Sequence, residues 1–382
     1  MTLSSADIFA KLSEWPHRGA GSEDEMMARE MLTTELLGEP GVDVAEEGLM
    51  APRNYLPFFW VIALGQAFAV GFGETGPYVA ALVGALFFVS HLLFFDWRIS
   101  PLIWLMPKTL TANLVASKGT GRRLVILMAH LDSAPASYAY RADRVKNFAV
   151  NIYLGTLIVS LGLVVPVLDI YGLHAPFGLR LFFIGALLVQ GFVASIDHWR
   201  YGYTPGANDN LSGVAAATEA ASRLWKKMPD DTEVRLVITS AEEAGMLGAQ
   251  HYSRVHNDEL KARATHIVNF DTVGGKNLKY IQRSGGFTPV YYPGPLLEAA
   301  ATLEKQGPRF SRITAGEHHV GDFDSVWFVR RGISTLTIAS YDDDGLMPHI
   351  HTPEDKAEHV NMGQVALSAL YGEALVRLLP PA

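Results

Sequence analysis

Two long apolar blocks constrain this chain more than any other feature of its sequence. The first covers residues 55–96 and the second covers residues 148–196. Each block has two apolar arms around a short break, which is GETG in the first and contains Asp169, His174 and Arg180 in the second. The arms are roughly 16–21 residues long, close to the 17–25 that a helix needs to cross a bilayer core. The blocks therefore predict two transmembrane helical hairpins.

The composition is consistent with this prediction, because the hydrophobic content is 49% and the charged content is only 18%. Soluble domains usually carry about 25% charged residues. Two buried hairpins in a large core, or an oligomer interface, would be the alternative to a membrane. Aromatic residues near the arm ends favour the membrane, since such residues form interfacial belts. They are Tyr55, Phe58, Phe59, Trp60, Phe94, Phe95, Trp97 and Trp199.

The distribution of lysine and arginine around the arms predicts the orientation. One side carries Arg53, Arg98, Lys108, Arg141, Arg144, Lys146 and Arg200, whereas the hairpin tips carry only Arg180. Since the positive side is normally cytoplasmic, four crossings would place the remaining domain and both termini in the cytoplasm. The first residues lack a basic start and an apolar core, so no cleavable signal peptide is expected. We expect a multi-pass integral protein of a bacterial inner membrane.

The rest of the chain alternates strand and helix patterns. Short apolar runs with strand character lie at 123–130, 234–240, 265–271 and 333–340, and helical patterns lie at 211–225 and 295–305. This alternation predicts an α/β fold with a mixed, mostly parallel sheet sandwiched by helices. Residues 1–54, 97–147 and 197–382 would form this domain, interrupted by the two hairpins.

Composition also excludes several kinds of site. The chain has no cysteine, which rules out a disulfide framework, a thiolate zinc finger and a cysteine nucleophile. Its net charge is −8 without a long run of one sign, so no nucleic-acid surface is expected.

Acidic and histidine residues follow several of the predicted strands. His130 and Asp132 end the first, Glu242 and Glu243 follow the second, and Asp271 ends the third. Parallel strands place their carboxyl ends at one edge of a sheet, where ligands bind in open α/β folds. Further candidates are Asp209, just before a helix, and His349, His351 and Asp355 near the C-terminus.

Several carboxylates in one pocket repel one another unless a cation neutralises them. Two histidines with three or four carboxylates and no cysteine form the ligand set of a two-metal hydrolytic site. Two Zn²⁺ ions fit this set best, while Mn²⁺ or Co²⁺ remain open. A glutamate beside the cations would serve as general base.

Five motifs in order carry a resemblance to a known family. They are HLDS, GANDNLSG, AEEAGMLGA, NFDTVGG and HTPED. They resemble the co-catalytic zinc aminopeptidase and carboxypeptidase family, which includes leucyl and Streptomyces-type aminopeptidases, glutamate carboxypeptidase and an endoplasmic-reticulum metallopeptidase branch. The resemblance covers about residues 111–132 and 201–375.

The resemblance implies a role for each motif residue. His130 and Asp271 would bind the first metal, Glu243 and His351 the second, and Asp209 would bridge both. Glu242 looks like the general base. Asp132 would orient His130 through its carboxylate, and Asp355 could orient His351 in the same way. In this family the peptide bond after the bridging aspartate, here Asp209–Asn210, is commonly cis.

Two features depart from the family pattern. Residues 321–333 resemble its Ser-Asp-His-x-x-Phe segment but carry serine at the histidine position, so the roles of Asp322 and Asp324 stay open. The gap between Asp132 and Asp209 is unusually long, and the second hairpin accounts for it. His318 and His319 are interpreted as surface or substrate-pocket residues rather than ligands.

These observations together predict a membrane-anchored two-zinc metallopeptidase that hydrolyses short peptides at a chain end, with an aminopeptidase favoured. A single-zinc acyltransferase similar to glutaminyl cyclase and a non-catalytic receptor or scaffold are the alternatives. The expected partners are a short peptide and the lipid bilayer, not nucleic acid. The oligomeric state stays open.

Overall fold

The computed structural model describes residues 3–96, 101–319 and 321–380. Trp97 and Arg98, which entered the aromatic and charge patterns above, lie outside these residues. The chain divides into two compact units. Unit 1 comprises Met1–Arg53, Lys108–Pro135 and Tyr203–Ala382, and unit 2 comprises Asn54–Pro107 and Ala136–Gly202.

Unit 1 is built on a nine-stranded sheet. Its strands are β1 Asp43–Ala51, β2 Thr109–Lys118, β3 Arg123–His130, β4 Thr232–Thr239, β5 Ala264–Phe270, β6 Asn277–Ser284, β7 Val290–Tyr291, β8 Thr314–Glu317 and β9 Ser334–Tyr341. The order is β1-β2-β4-β3-β5-β9-β6-β7, with β8 beside β6. The mixed sheet is confirmed. Among the described strands, however, four of the eight pairings are parallel rather than most of them. Three of these four join the central strands β4, β3, β5 and β9.

The helices flank this sheet or form unit 2. In chain order they are α1 Ser5–Leu12, α2 Glu23–Leu37, α3 Leu56–Phe72, α4 Pro77–Phe95, α5 Phe148–Ile170, α6 Phe177–Tyr201, α7 Gly213–Lys226, α8 Leu247–Val255, α9 Asn257–Ala262, α10 Pro295–Lys305, α11 Val326–Val329 and α12 Met362–Arg377. Unit 2 contains α3–α6. The strands expected at 123–130, 234–240, 265–271 and 333–340 are confirmed as β3, β4, β5 and β9. The helices expected at 211–225 and 295–305 are confirmed as α7 and α10.

The centre of unit 1 is tightly packed and buried. This packing holds in place the strand ends that carry the candidate site. All eight residues of β3 are buried, as expected for a strand covered by helices on both faces. Helix α7 packs on β3 and buries eleven of its 14 residues, five of which are alanines that allow close approach to the sheet. The indole of Trp225 on α7 donates a hydrogen bond to the carbonyl oxygen of Val234 at 3.0 Å.

Unit 2 is a bundle of four apolar helices. Helix α4, residues Val145–Ile170 and α6 are long and apolar enough to cross a membrane, whereas α3 has 17 residues and is shorter. The ring of Phe58 stacks on that of Phe94 at 4.3 Å. Large apolar side chains also face outwards, among them Leu82 at 72% and Phe182 at 66% exposure. The structure thus confirms that the two apolar blocks form four helices in two hairpins. Their crossing of a membrane stays a prediction.

Unit 2 is wider than the predicted hairpins. Residues 101–107, 136–147 and 197–202 group with its helices and not with the sheet. Both of its segments leave and rejoin unit 1 at neighbouring backbone positions. Ala51 at the end of β1 pairs with Thr109 at the start of β2. Pro135 forms an antiparallel bridge with Tyr203.

Candidate metal centre

The side chains of interest lie where parallel strands end. His130 is the last residue of β3, and Asp271 follows β5 directly. Glu242 and Glu243 lie in the turn after β4, which is the neighbour of β3 on its other side. Because β4, β3 and β5 run in the same direction, their carboxyl ends share one edge of the sheet. Asp209 reaches this edge from the loop before α7.

The structure brings five of the sequence-predicted residues into two overlapping donor groups. One contains His130, Asp209 and Asp271, and the other contains Asp209, Glu243 and His351. In each group the ligating atoms lie within 4.8 Å of one another. Asp209 belongs to both.

Asp209 presents one carboxylate oxygen to each histidine. Its Oδ1 lies 3.2 Å from Nε2 of His130, and its Oδ2 lies 3.1 Å from Nε2 of His351. Asp271 Oδ2 lies 3.8 Å from His130 Nε2, and Glu243 Oε2 lies 3.4 Å from His351 Nε2. A carboxylate between two separate imidazoles has the arrangement of a ligand that bridges two cations.

These side chains fit zinc. A tetrahedral zinc with bonds of about 2.0–2.1 Å separates its ligand atoms by roughly 3.3 Å, similar to the donor separations above. Glu243 is buried, and its Oε1 has no hydrogen-bond partner in the part of the chain that the structure describes. A buried carboxylate oxygen without a partner is costly unless a cation or donor meets it.

The pKa values of these carboxylates also favour a cation at this site. Burial, followed by repulsion from Asp209 and Glu242, raises the pKa of Glu243 well above its usual range. Burial also raises the pKa of Asp271 to about 6, against the attraction of His130 and with the repulsion of Asp209. Burial and mutual repulsion of this kind disfavour the ionised carboxylates, and a bound cation would favour them.

Glu242 lies beside the two donor groups described above but belongs to neither of them. It forms a further cluster with His130 and Glu243, yet its side chain is less buried than theirs. Burial and the carboxylates of Asp324, Asp271 and Asp132 raise the pKa of Glu242 well above its usual range, opposed by His130. A carboxylate with a raised pKa beside a cation site can take up and release a proton.

The expected role of Asp132 is wrong in its chemical detail. The Nδ1 of His130 lies 3.0 Å from the backbone carbonyl oxygen of Asp132, while the nearest carboxylate oxygen is 3.8 Å away. The two carboxylate oxygens instead accept the backbone N–H groups of Glu242 and Glu243, each at 3.0 Å. Asp132 therefore orients His130 through its backbone and fixes the glutamate turn through its side chain.

Asp355 makes an equivalent pair of bonds on the other side of the cluster. Its carboxylate oxygens accept the backbone N–H groups of Asn208 at 2.8 Å and Asp209 at 3.0 Å. These contacts fix the backbone of the bridging residue, and the expected orientation of His351 by Asp355 stays a prediction. The peptide bond between Asp209 and Asn210 is cis, as the family resemblance implied.

Asn210 joins two of the ligand loops, and the sequence analysis did not identify it. Its Oδ1 accepts the N–H groups of Gly213 and Thr272, both at 3.0 Å, and its Nδ2 donates to the carbonyl oxygen of Phe270 at 2.9 Å. The loop that carries Asp209 is thereby tied to the end of β5 that carries Asp271. Its place inside the GANDNLSG motif was the only available signal.

Arg18, from the segment before α2, was also missed. It is fully buried, and its guanidinium donates to the carbonyl oxygens of Leu131, Pro205 and Gly206 at 2.8–3.0 Å. Gly206 has a φ of +60° and packs closely on this guanidinium, so a side chain there would be strained. Arg18 holds together the two loops that follow His130 and precede Asp209.

Replacing Arg18 with methionine should destabilise unit 1 and weaken metal binding together. Three buried carbonyl groups would lose their donor and nearby carboxylates their counter-charge, at a cost of about 3–5 kcal/mol. The check is thermal unfolding followed by tryptophan fluorescence, with metal content measured in parallel. Arg122→Met is the matched control, since Arg122 is 78% exposed and pairs with Asp231 at the surface. Equal melting temperatures and metal contents would contradict this role.

The residues left open by the sequence belong to no donor group among the described residues. Asp324 is buried and accepts a hydrogen bond from Thr239, and burial raises its pKa to about 6. Asp322 accepts a bond from Ser284. His318 lies 3.1 Å from the hydroxyl of Tyr341, and His319 is exposed near Glu317.

His349 and His351 are separated clearly by the structure. The ring of His349 stacks on that of His359 at 4.4 Å, whereas His351 lies in the cluster. The choice of His351 over His349 therefore agrees with the geometry.

Comparison with known proteins shows which proteins this chain is similar to. The model of peptidase family M28 matches residues 191–371. Aminopeptidase YwaD of Bacillus subtilis is 32% identical over 182 residues, which are 44% of this chain and 38% of that protein. An aminopeptidase of Pseudomonas aeruginosa is 32% identical over 120 residues, 31% of this chain and 22% of that protein. The chain thus spans less than half the length of either relative.

Solved structures show the same fold at low sequence identity. A Zn-dependent exopeptidase from Parabacteroides distasonis superimposes with a TM-score of 0.59 and 15% identity, covering 100% of this chain and 99% of that one. Glutaminyl cyclase from Bacteroides thetaiotaomicron gives 0.55 and 15%, covering 98% of each chain. These likenesses establish the fold alone.

Proposed function

Because the model of peptidase family M28 matches residues 191–371, we propose that the chain is a member of this family and a membrane-anchored, two-zinc exopeptidase that removes residues from the amino-terminal ends of short peptides. One observation carries the proposal. The two oxygens of Asp209 lie within 3.2 Å of two different imidazoles, each of which belongs to its own donor group. The same observation favours two cations over the single one of a glutaminyl-cyclase-like enzyme.

Each cation would have its own side chains and share Asp209. His130 and Asp271 would hold the first, and Glu243 and His351 the second. Mn²⁺ or Co²⁺ could use the same nitrogen and oxygen donors. When bound, the cations would supply Lewis-acid chemistry, polarising the scissile carbonyl group and lowering the pKa of water.

Glu242 would act as the general base. It would accept a proton from the attacking water and pass that proton to the leaving amine. Asp132 would keep it in position, since the Asp132 carboxylate holds the backbone N–H groups of Glu242 and Glu243. A base fixed in this way contributes roughly 10²–10⁴-fold to the rate of such a reaction.

Metal counting and peptide digestion test the proposal together. We expect two zinc ions per detergent-purified chain by elemental analysis, and stepwise release of amino-terminal residues from a peptide library by mass spectrometry. One zinc per chain with pyroglutamate formed from glutaminyl peptides would establish the cyclase alternative instead. Two tightly bound ions without any turnover would favour the scaffold alternative.

The four helices of unit 2 would anchor the enzyme in a bacterial inner membrane. Length and composition suit α4, Val145–Ile170 and α6 for crossing, and α3 would cross at the lower limit of about 17 residues. The excess of lysine and arginine outside the hairpin tips supports a cytoplasmic unit 1. The lipid bilayer and a short peptide would then be the partners.

Single introduced cysteines should report this topology, because the chain has none of its own. In intact spheroplasts a membrane-impermeant maleimide should label Thr75→Cys and Leu173→Cys at the hairpin tips. Ser311→Cys, exposed in unit 1, should be labelled only after lysis. The reverse pattern would invert the orientation, and labelling of all three in intact cells would exclude the crossings.

A further inference from the structure

A cavity in unit 1 is separate from the candidate metal centre. It has a volume of about 390 Å³ and lies between the first turns of α2 and strands β1 and β2. This volume is within the range of roughly 300–1,000 Å³ that is typical of small-molecule sites. None of its lining residues belongs to a donor group of the metal centre.

Arg29 lines this cavity with unused hydrogen-bond donors. Its side chain is only 9% exposed, and its Nε and Nη1 groups make no hydrogen bond with the described residues. Two carboxylates form ion pairs with this guanidinium but no hydrogen bonds to these two groups. Glu46 Oε2 lies 3.2 Å from Nε, and Glu25 Oε2 lies 3.9 Å from Nη1. A buried guanidinium with open donors is costly, and a ligand carboxylate would satisfy it with charge-assisted hydrogen bonds.

Carboxylates surround the same space. Glu25 is 1% exposed and accepts hydrogen bonds from the N–H of Gly21 at 2.7 Å and from Thr111 Oγ1 at 2.9 Å. Glu46 lines the cavity with its side chain 42% exposed. A simple anion would be repelled by these groups, and a simple cation would leave the donors of Arg29 unused. A ligand that carries both charges is complementary to both.

The remaining wall is apolar. Met26 is 42% exposed and Leu110 is 69% exposed, although both are large hydrophobic residues. Contact with an apolar ligand group would remove this surface from water.

We propose that this cavity binds a free amino acid with an apolar side chain. Arg29 holds the carboxylate, Glu46 and Glu25 hold the ammonium group, and Met26 and Leu110 contact the side chain. The site goes beyond the proposed function, although its ligand has the chemistry of the product that an exopeptidase releases. Glu25 also accepts a hydrogen bond from Ser240, which lies two residues before Glu242 and so connects the cavity to the glutamate turn.

Equilibrium binding of radiolabelled leucine to the full-length, metal-loaded protein in detergent tests the site. Arg29→Gln should lose one equivalent of bound leucine per chain, or weaken it by at least about tenfold, as expected for a lost charged hydrogen bond. Arg122→Gln, at an exposed arginine, is the matched control and should bind as wild type does. Glu46→Gln changes a half-exposed side chain without burying any new group. This substitution should weaken the binding of the same equivalent of leucine.

Two leucine analogues test the chemistry. Leucinamide lacks the carboxylate and 4-methylpentanoate lacks the ammonium group, so neither should displace leucine from the Arg29-dependent site. Unchanged leucine binding in both Arg29→Gln and Glu46→Gln, or displacement by 4-methylpentanoate as effective as by leucine, would overturn the proposal. Its failure is distinguishable from failure of the peptidase proposal, because peptide hydrolysis is measured separately on the same samples.

Discussion

Replacing Glu242 with glutamine should remove nearly all peptide hydrolysis while the fold and the bound metal are retained. The amide has almost the same shape as the carboxylate but cannot accept the proton of the attacking water. Glu242 lies beside both of the donor groups that contain Asp209, but neither group includes Glu242. We therefore expect kcat to fall by roughly 10²–10⁴-fold, with zinc content and melting temperature close to those of the wild type.

The matched control is Glu298→Gln on the exposed face of α10, which makes the same chemical change away from the site. The measurement is initial-rate kinetics on a single dipeptide, combined with elemental analysis of each protein. Turnover by Glu242→Gln within a fewfold of the control would remove Glu242 as general base. Loss of zinc in that variant would make it a ligand instead.

Replacing Asp209 with asparagine should remove metal, and activity with it. The bridging position needs an oxygen for each cation and a negative charge between them, whereas the amide offers one oxygen and no charge. The two histidines hold the pKa of Asp209 below its usual range despite its burial, so the carboxylate form is the one present. Partners outside the ligand set typically change metal affinity by about 10–100-fold, and a bridging ligand should exceed that.

Titration with zinc under a competing chelator measures this affinity directly. Asp231→Asn provides the control, because Asp231 is an exposed aspartate paired with Arg122. Full zinc stoichiometry in Asp209→Asn at the wild-type affinity would show that Asp209 does not bridge two cations. Loss of only one ion would assign it to a single position.

The sequence was sufficient to predict four of the nine strands, the central β3, β4, β5 and β9, for a physical reason. Strand β3 is a continuous apolar run between its terminal Arg123 and His130, because both of its faces are covered, and such a run is recognisable without a structure. Strand β5 lies parallel to it. Their polarity then brings His130 and Asp271 to one edge. The antiparallel pairings of β2 and β6 were not predicted, since pairing direction depends on partners that lie far apart in the chain.

The supporting residues of the site were much harder to predict. Asp132 and Asp355 act through bonds to backbone N–H groups, which every residue possesses and no motif displays. Arg18 donates only to carbonyl oxygens, and it comes from a segment that carries no motif. The candidate metal ligands can be predicted from their residue type. The groups that position them can be recognised only from the backbone geometry.

The connections between the two units have a practical consequence. Ala51 and Thr109 are paired neighbours in the sheet, and Pro135 and Tyr203 form an isolated antiparallel bridge outside its strands. A two-residue hairpin turn such as Asn-Gly could therefore close the first gap, and a short glycine-containing linker the second. The resulting fragment would keep the whole nine-stranded sheet and all the metal-centre residues while omitting every apolar helix of unit 2. Internal excision, rather than truncation from either end, is therefore the way to separate the proposed catalytic domain from the proposed membrane helices.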